Sequence, residues 1–593
     1  MNRTFAVAIG GAAGQGVATP GDIFAKIFAR RGLHINAYNA YQSIIRGGHT
    51  FLTIRAGIDE VTCFGDRIDL LIPLNQDSID RHLGLMKPGS TVVYNGDTIK
   101  PLTKPDGVQL CPLPVLQLSK GSRTKVEQNI LALAASLRMM GVDFKPVEQI
   151  LIEQFARKGD KIVATNLELA SAGYDYAAAN FQTFPDPLPE SANRYAVLSG
   201  NIALAMGGAA AGVKFYSAYP MSPATGVLHW MASHAREAGI VVRQVEDEIG
   251  VINMAIGAAH AGVRAMCATS GGGFALMTEA LGMSAMMETP VVVINVQRAG
   301  PATGVPTKTE QGDLWQMLGA GAGDFPKLIA APVDIQDCFK LVSEMHNLTD
   351  RYQCPGIILS DLLLSEGRSS VEPTQLDFEP DIDRGELIVS ADRGNGTNGY
   401  ARYKITDTGI SPRAIPGVPG HVHTASTDEH DEDGVLISDE YTNPVKRRAM
   451  MEKRQRKVLG IEKAVQPPKL RGAPGADVTL VGWGSTDGVI REAIQILKDD
   501  GISANQLQIR WLVPLQGEAI VNILKPSKQT IFVENNYTGQ FARYLRSETS
   551  YVADGHIRKY DGEPFMPHHI VEAVKEQLAG KTTLSLPVHE IAV

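Results

Sequence analysis

The chain has 593 residues, 44% of them hydrophobic and 20% charged, with a formal net charge of −8 and a pI near 6.0. That balance fits a globular protein long enough for about three to four domains, and it gives no electrostatic reason to expect nucleic acid or an anionic membrane as partner. The first apolar run, Phe5 to Ile9, is too short for a signal peptide, and no run of about 18 apolar residues occurs, so a cytoplasmic protein is expected.

The first unit is read over residues 1–180. An apolar strand, Phe5 to Ile9, leads into Gly10-Gly11-Ala12-Ala13-Gly14-Gln15-Gly16 and then a helix to about Arg31. A glycine turn opening a helix lets backbone N–H groups approach an anion. The order of glycines is the reverse of the dinucleotide fingerprint, and no acidic residue follows the next strand, Leu33 to Ala37, so NAD is not expected. Farther on, Arg46-Gly47-Gly48-His49 reads as a tight turn before the strand Thr50 to Arg55, with Arg46 either a solvated loop charge or a carboxylate clamp.

The second unit, residues 195–365, has the clearest βα rhythm. Strand-like runs at Lys214 to Ala218, Ile240 to Val245, Arg264 to Thr269, Pro290 to Val296, Leu328 to Ala331 and Gly356 to Leu359 alternate with helical segments. The pattern predicts a mostly parallel, doubly wound α/β sheet. Its turns carry Tyr219 to Thr225, Glu246-Asp247-Glu248, Ser270-Gly271-Gly272-Gly273 and Arg298-Ala299-Gly300-Pro301, which should gather at one sheet edge, where open α/β sheets bind ligands.

Residues 366–472 lose the pattern and read as a linker or wrapping segment, with a glycine and polar run at 392–399. In that segment, Thr427 to Gly434 is acidic but lacks calcium-loop spacing, so a solvated loop is expected. Residues 473–593 form a second, smaller α/β unit with strands at Val478 to Gly482, Leu507 to Leu512 and Thr530 to Glu534 and a last helix from His568 to Leu578. The five cysteines are scattered without a C-x-x-C pair, so no cluster or metal site is expected on this chain.

The turn Tyr219 to Thr225, the run Glu246 to Gly250, the loop Thr269 to Phe274 and the run Arg298 to Gln311 together resemble the α subunit of the 2-oxoacid:ferredoxin oxidoreductases. The closest likeness is to the 2-oxoglutarate type, in which a γ domain precedes α. Gly11 to Gly16 is similar to that γ domain, and Val478 to Glu534 to the transketolase C-terminal-like domain. Met221 and Ser222 stand where the family turn usually has isoleucine and threonine, and Gly272 where many members have proline.

The resemblance implies a pyrimidine-type thiamine diphosphate domain at 195–365. It also implies coenzyme A-dependent oxidative decarboxylation of a 2-oxoacid with electrons passing to ferredoxin, or the reverse carboxylation. It assigns Glu248 to the aminopyrimidine ring, Arg298 to the 2-oxo carboxylate, and Ser222 and Thr307 to hydroxyl contacts beside it. Tyr219, Pro220, Ser270 and Gly271 would line the cofactor, while Lys308 would either meet substrate or pair with Glu310. Arg46 would reach a distal carboxylate from the γ domain. The chain lacks a Gly-Asp-Gly magnesium motif, so Mg, the diphosphate site and a [4Fe-4S] cluster should lie on a β subunit of an α2β2 assembly. The alternatives are a pyruvate-using or broad 2-oxoacid enzyme, or a non-catalytic assembly subunit.

Overall fold

A computed structural model describes residues 4–42, 46–101, 103–121, 125–390, 399–437 and 443–589. Three sheets organise it, one of eight strands, one of seven and one of six. The run at 392–398 lies outside the described residues, and among those described no helix is long and apolar enough to cross a membrane.

The eight-stranded sheet is mixed. The first strand, Phe5–Ala13, pairs parallel with Leu70–Pro73 on one side and antiparallel with Gly47–Gly57 on the other. Gly47–Gly57 in turn pairs antiparallel with His34–Ala40. Two strands far away in sequence complete the sheet, because Arg368–Val371 joins His34–Ala40 and Ala196–Ser199 joins Arg368–Val371. The segment that follows residue 366 therefore begins by crossing back to the N-terminal sheet.

The glycine turn differs from expectation. The strand runs on through Ala13, and Gln15 turns back so that its side-chain oxygen accepts from Ala12 N–H at 2.7 Å, while Asn129 donates to Gln15 O at 2.8 Å. The loop thus satisfies Ala12 N–H internally. A Cβ at Gly10 would stand 2.9 Å from Ser78 Cβ, so close packing also accounts for a glycine there. The strand read as starting at Thr50 begins at Gly47, where positive φ angles at Gly47 and Gly48 let the pairing extend to the bend at Arg46.

The seven-stranded sheet has the spatial order 511–513, 328–330, 355–361, 291–297, 264–269, 213–218, 241–244. Its neighbours are parallel except at the edge, where Trp511–Val513 from the C-terminal part pairs antiparallel with Leu328–Ala330. The strands Val291–Gln297 and Arg264–Thr269 are buried at every position, as expected of a parallel sheet covered on both faces. The six-stranded sheet is centred on Val478–Trp483 and is parallel apart from the short strand Leu470–Arg471. One apolar core spans the last two sheets, packing Val251, Phe274 and Leu314 with Trp483, Phe532 and Phe541.

Residues 366–472 carry order that the composition hides. The helix Pro444–Ala464 is rich in Lys and Arg, yet Lys453, Arg454 and Lys457 are buried in it. Both lysines pair with the buried Glu288, while Arg454 donates to both Glu429 oxygens, at 3.0 and 2.8 Å. Lys446 reaches Asp431 at 3.1 Å. The acidic loop read as solvated is therefore the ionic partner of this helix, a pairing that links residues 15 to 25 positions apart and leaves no local signature. All five cysteines are buried and free.

Candidate functional site

Four neighbouring parallel strands, Val291–Gln297, Arg264–Thr269, Val213–Ala218 and Val241–Gln244, end on the same side of the sheet. Because they run side by side in one direction, the turns after them must converge, as the strand rhythm predicts.

Glu248 is the first residue of the helix Glu248–His260, which Asp247 caps by accepting from Ile249 N–H at 2.9 Å and Gly250 N–H at 3.4 Å. Capping thus falls to Asp247 and leaves the Glu248 carboxyl pointing elsewhere. Glu248 is only 3% exposed, and its Oε1 has no hydrogen-bond partner among the described residues. Burial raises its pKa, with smaller contributions from the charges of Asp247 and Glu246 against an opposing backbone hydrogen bond.

The helix Gly271–Met286 starts against the same carboxyl. A Cβ on Gly273 would lie 2.4 Å from Glu248 Oε1 and 2.2 Å from Thr269 Oγ1, and one on Gly271 would lie 2.6 Å from Asp313 Oδ2. Ser270, fully buried at the helix N-cap, makes no side-chain capping bond, and its Oγ is without a partner among the described residues. Two buried polar atoms without partners among the described residues, beside glycines whose positions admit no side chain, can accept hydrogen bonds from, or donate them to, a bound heterocycle. That donor and acceptor set fits an aminopyrimidine ring.

Gly273→Ala is expected to force Thr269 or Glu248 aside, costing about 1–3 kcal/mol by overpacking and lowering turnover of the assembled enzyme at least about tenfold. Gly257→Ala is the control, since a Cβ there would meet nothing within 4 Å. Thermal shift and steady-state assays of the two variants check this.

The turn from Tyr219 to Thr225 is braced by Asn201, whose side chain donates to Pro223 O at 2.8 Å. Tyr219 is half-buried against the core behind the site, and Pro220 is exposed. Arg298 Nη1 donates to Ser222 O at 2.8 Å, tying the turns of two strands together, while Arg298 Nε is buried without a partner among the described residues. Burial lowers the Arg298 pKa and the charge of Asp313 opposes this. One edge of the guanidinium is thus fixed and another N–H remains to be satisfied.

The run after Arg298 folds back on itself. Val305 N–H donates to Ala299 O at 2.9 Å and Ala299 N–H to Lys308 O at 3.0 Å, so buried Thr307 and Lys308 return beside Arg298. Lys308 does not pair with Glu310. The loop closure carries its ammonium to the C-terminal part of the chain, where it pairs with Glu563. Glu310 instead holds a carboxyl pushed up to about 7, chiefly by burial and then by Asp313. Arg46 lies at an exposed bend, and among the described residues no contact joins it to this cluster.

Several residues of the site were not anticipated from sequence. Asp313 is a carboxylate whose backbone N–H donates to Gln297 Oε1 at 3.0 Å and whose Oδ2 accepts from Asn295 at 2.9 Å. Asn295 and Gln297 are fully buried polar residues within an otherwise apolar strand, and that interruption is the signal by which the sequence could have revealed them. Gln311 stitches the run to the C-terminal part through Asn535 N–H at 3.1 Å and Trp483 O at 2.8 Å.

The parallel sheet with its converging strand-end turns is a doubly wound α/β domain, and comparison with known proteins identifies the class as thiamine-diphosphate-binding oxidoreductases. Residues 206–451 match the family described as pyruvate flavodoxin/ferredoxin oxidoreductase, thiamine diphosphate-binding. Residues 6–176 match pyruvate ferredoxin/flavodoxin oxidoreductase, and 470–578 the transketolase C-terminal domain. A 2-oxoacid:ferredoxin oxidoreductase α subunit of Aeropyrum pernix is 32% identical over 96% of this chain and 97% of its own length. The 2-oxoglutarate oxidoreductase subunit KorA of Mycobacterium tuberculosis is 32% identical over 96% of this chain and 91% of its own. The solved 2-oxoglutarate:ferredoxin oxidoreductase of Magnetococcus marinus, with 2-oxoglutarate, coenzyme A and succinyl-CoA bound, superposes with a TM-score of 0.90 at 33% identity, covering 98% of this chain and 100% of that one. The chain belongs to the family of 2-oxoacid:ferredoxin oxidoreductase α subunits.

Proposed function

We propose that this α subunit works on 2-oxoglutarate, forming succinyl-CoA and CO2 and passing electrons to ferredoxin. The observation that carries the reading is Glu248, a buried carboxyl with an oxygen that no group among the described residues satisfies, set at the meeting point of the strand-end turns. Thiamine diphosphate, when bound, supplies the carbon nucleophile for decarboxylation. Glu248 would hold its aminopyrimidine ring, with Ser270, Gly271, Tyr219 and Pro220 along the same cleft.

The chemistry of this chain's own residues then follows. Burial shifts Glu248 toward its protonated form, and a carboxyl held at this position can share a proton with a ring nitrogen and take it back within the site. Arg298, fixed through Nη1 to Ser222 O, offers its unsatisfied Nε–H to the carboxylate next to the reacting carbonyl. The hydroxyls of Ser222 and Thr307 add hydrogen bonds beside it. Burial of Glu248 and Thr307 keeps water away from the proton and strengthens each of these interactions.

A β subunit would carry magnesium, the diphosphate site and a [4Fe-4S] cluster in an α2β2 assembly, with coenzyme A as co-substrate and ferredoxin as electron acceptor. The relatives named for 2-oxoglutarate support that substrate. One observation favours a pyruvate-using or broad enzyme instead, namely that Lys308, the cation nearest along the chain to Arg298, is already matched by Glu563.

Co-expression with a β subunit and a dye-reduction assay over a panel of 2-oxoacids tests the reading. The highest kcat/KM is expected with 2-oxoglutarate, and a clear preference for pyruvate would overturn the substrate assignment. Arg46→Ala, at an exposed bend, should cost 2-oxoglutarate about 1 kcal/mol at most, roughly fivefold in kcat/KM, while sparing pyruvate and 2-oxobutyrate. An equal loss on every substrate would instead place Arg46 in the architecture.

A further inference from the structure

Beside Arg298 three parts of the fold meet in one short chain of contacts. Tyr38 Oη, from the strand His34–Ala40, donates to Glu563 Oε2 at 3.1 Å. The other Glu563 oxygen pairs with Lys308 Nζ. Glu563 sits between the strand Gly555–Arg558 and the helix Pro567–Leu578, so its carboxylate enters from the C-terminal sheet.

The backbone holds the pair in place. Thr309 N–H donates to Gly562 O at 3.0 Å, and a Cβ at Gly562 would lie 3.0 Å from Lys308 Cβ. Asp561 accepts from Glu563 N–H at 3.1 Å. The Glu563 side chain is 7% exposed and that of Lys308 23%, so the lysine is the more accessible member of the pair.

A 2-oxoacid with one carboxylate needs one cation, and Arg298 supplies it. A second, distal carboxylate needs another positive charge, and Lys308 is bound back to back with Ala299 on the same folded run. Its charge is neutralised by a carboxylate of the protein itself. Because Tyr38 grips the far oxygen, Glu563 keeps a hydrogen bond when the lysine leaves it.

Resting on the reading of a 2-oxoacid site given above, we infer that Glu563 is a specificity-determining residue, an internal carboxylate that occupies Lys308 until the distal carboxylate of a dicarboxylic 2-oxoacid displaces it. It raises the KM for dicarboxylates and leaves monocarboxylates and the reacting carbon untouched.

The test is Glu563→Gln in the complex assembled with a β subunit. The amide keeps the shape and the Tyr38 contact but leaves Lys308 unmatched. Expected are a fall of about tenfold in KM for 2-oxoglutarate, kcat within about twofold of the parent, and an unchanged KM for pyruvate and 2-oxobutyrate. In calorimetry, glutarate should bind more tightly to the variant and butyrate should not. Adding Lys308→Gln should abolish the gain. A change shared equally by both substrate classes, or a weaker affinity for dicarboxylates, would reduce Glu563 to a tether between units and overturn the inference. If the amide variant does not assemble, Glu563→Asp, which withdraws the carboxylate from Lys308, is judged by the same measurements. A parent complex that uses pyruvate and neither turns over 2-oxoglutarate nor binds glutarate would refute the dicarboxylate reading alone. In that event, glutarate binding gained by Glu563→Gln would still support Glu563 as the excluding charge, and its absence would overturn it.

Discussion

Glu248→Gln is expected to lower turnover of the assembled enzyme by about 10²- to 10⁴-fold, the usual range for a general acid–base group, with the fold, the assembly and thiamine diphosphate retention preserved. The amide has the size and reach of the carboxyl but no proton to share, and the side chain is held in a recess that a methyl group on Gly273 would already fill. Asp247, not Glu248, caps the helix, so the substitution leaves the cap intact. Glu246→Gln, two residues away and outside the helix, should change turnover little. Turnover within about threefold of the parent, well below that range, together with full cofactor content, would show that Glu248 has no catalytic part.

Glu288→Gln should be the most destabilising single substitution outside the site. Glu288 is fully buried and pairs with both Lys453 and Lys457, while Arg402 donates to its backbone carbonyl at 2.7 Å. Burial alone would raise its pKa, but the two ammoniums and Arg402 more than reverse this and hold it below the usual carboxylate range. Burial draws Lys453 down to about 7 against the pull of Glu288. Removing the one carboxylate strands two buried ammonium groups, which costs about 3–5 kcal/mol. The helix Pro444–Ala464 should then detach first, visible as a lowered first thermal transition and early proteolysis in that helix. Neutralising the exposed Glu452, which pairs with Arg448 on the same helix, should leave both unchanged. Lys453 binds its proton less tightly in the folded chain than in the unfolded one. Its contribution to stability therefore improves as pH rises above about 7 toward its ordinary value.

Most of the central sheet was legible in the residues. Each strand-like run from Lys214 to Leu359 falls on an observed strand within a few residues; for the interior strands the reason is that burial on both faces demands a short, nearly continuous apolar run between turns, whereas Val241–Gln244 at the edge is largely exposed. Convergence of Tyr219, Glu248, Ser270 and Arg298 followed from the parallel βα rhythm, since parallel strands put successive turns on one edge. The identity of the chemistry at that edge came from four motifs in the right order, not from the rhythm.

What the sequence by itself determined, then, is local and periodic: strands, helices, the turns between them and the residue types those turns carry. The tertiary structure decided everything that depends on pairing between distant charges and edges. It sent Arg368–Val371 back to the N-terminal sheet, turned a polar segment into a helix anchored on Glu288, and gave Lys308 to Glu563 instead of to its near neighbour Glu310. The reason is physical. Hydrophobic periodicity repeats every two or 3.6 residues and is written along the chain. A buried ion pair or a sheet-edge match has no period, and its partners, 255 residues apart for Lys308 and Glu563, become neighbours only when the cores between them have packed.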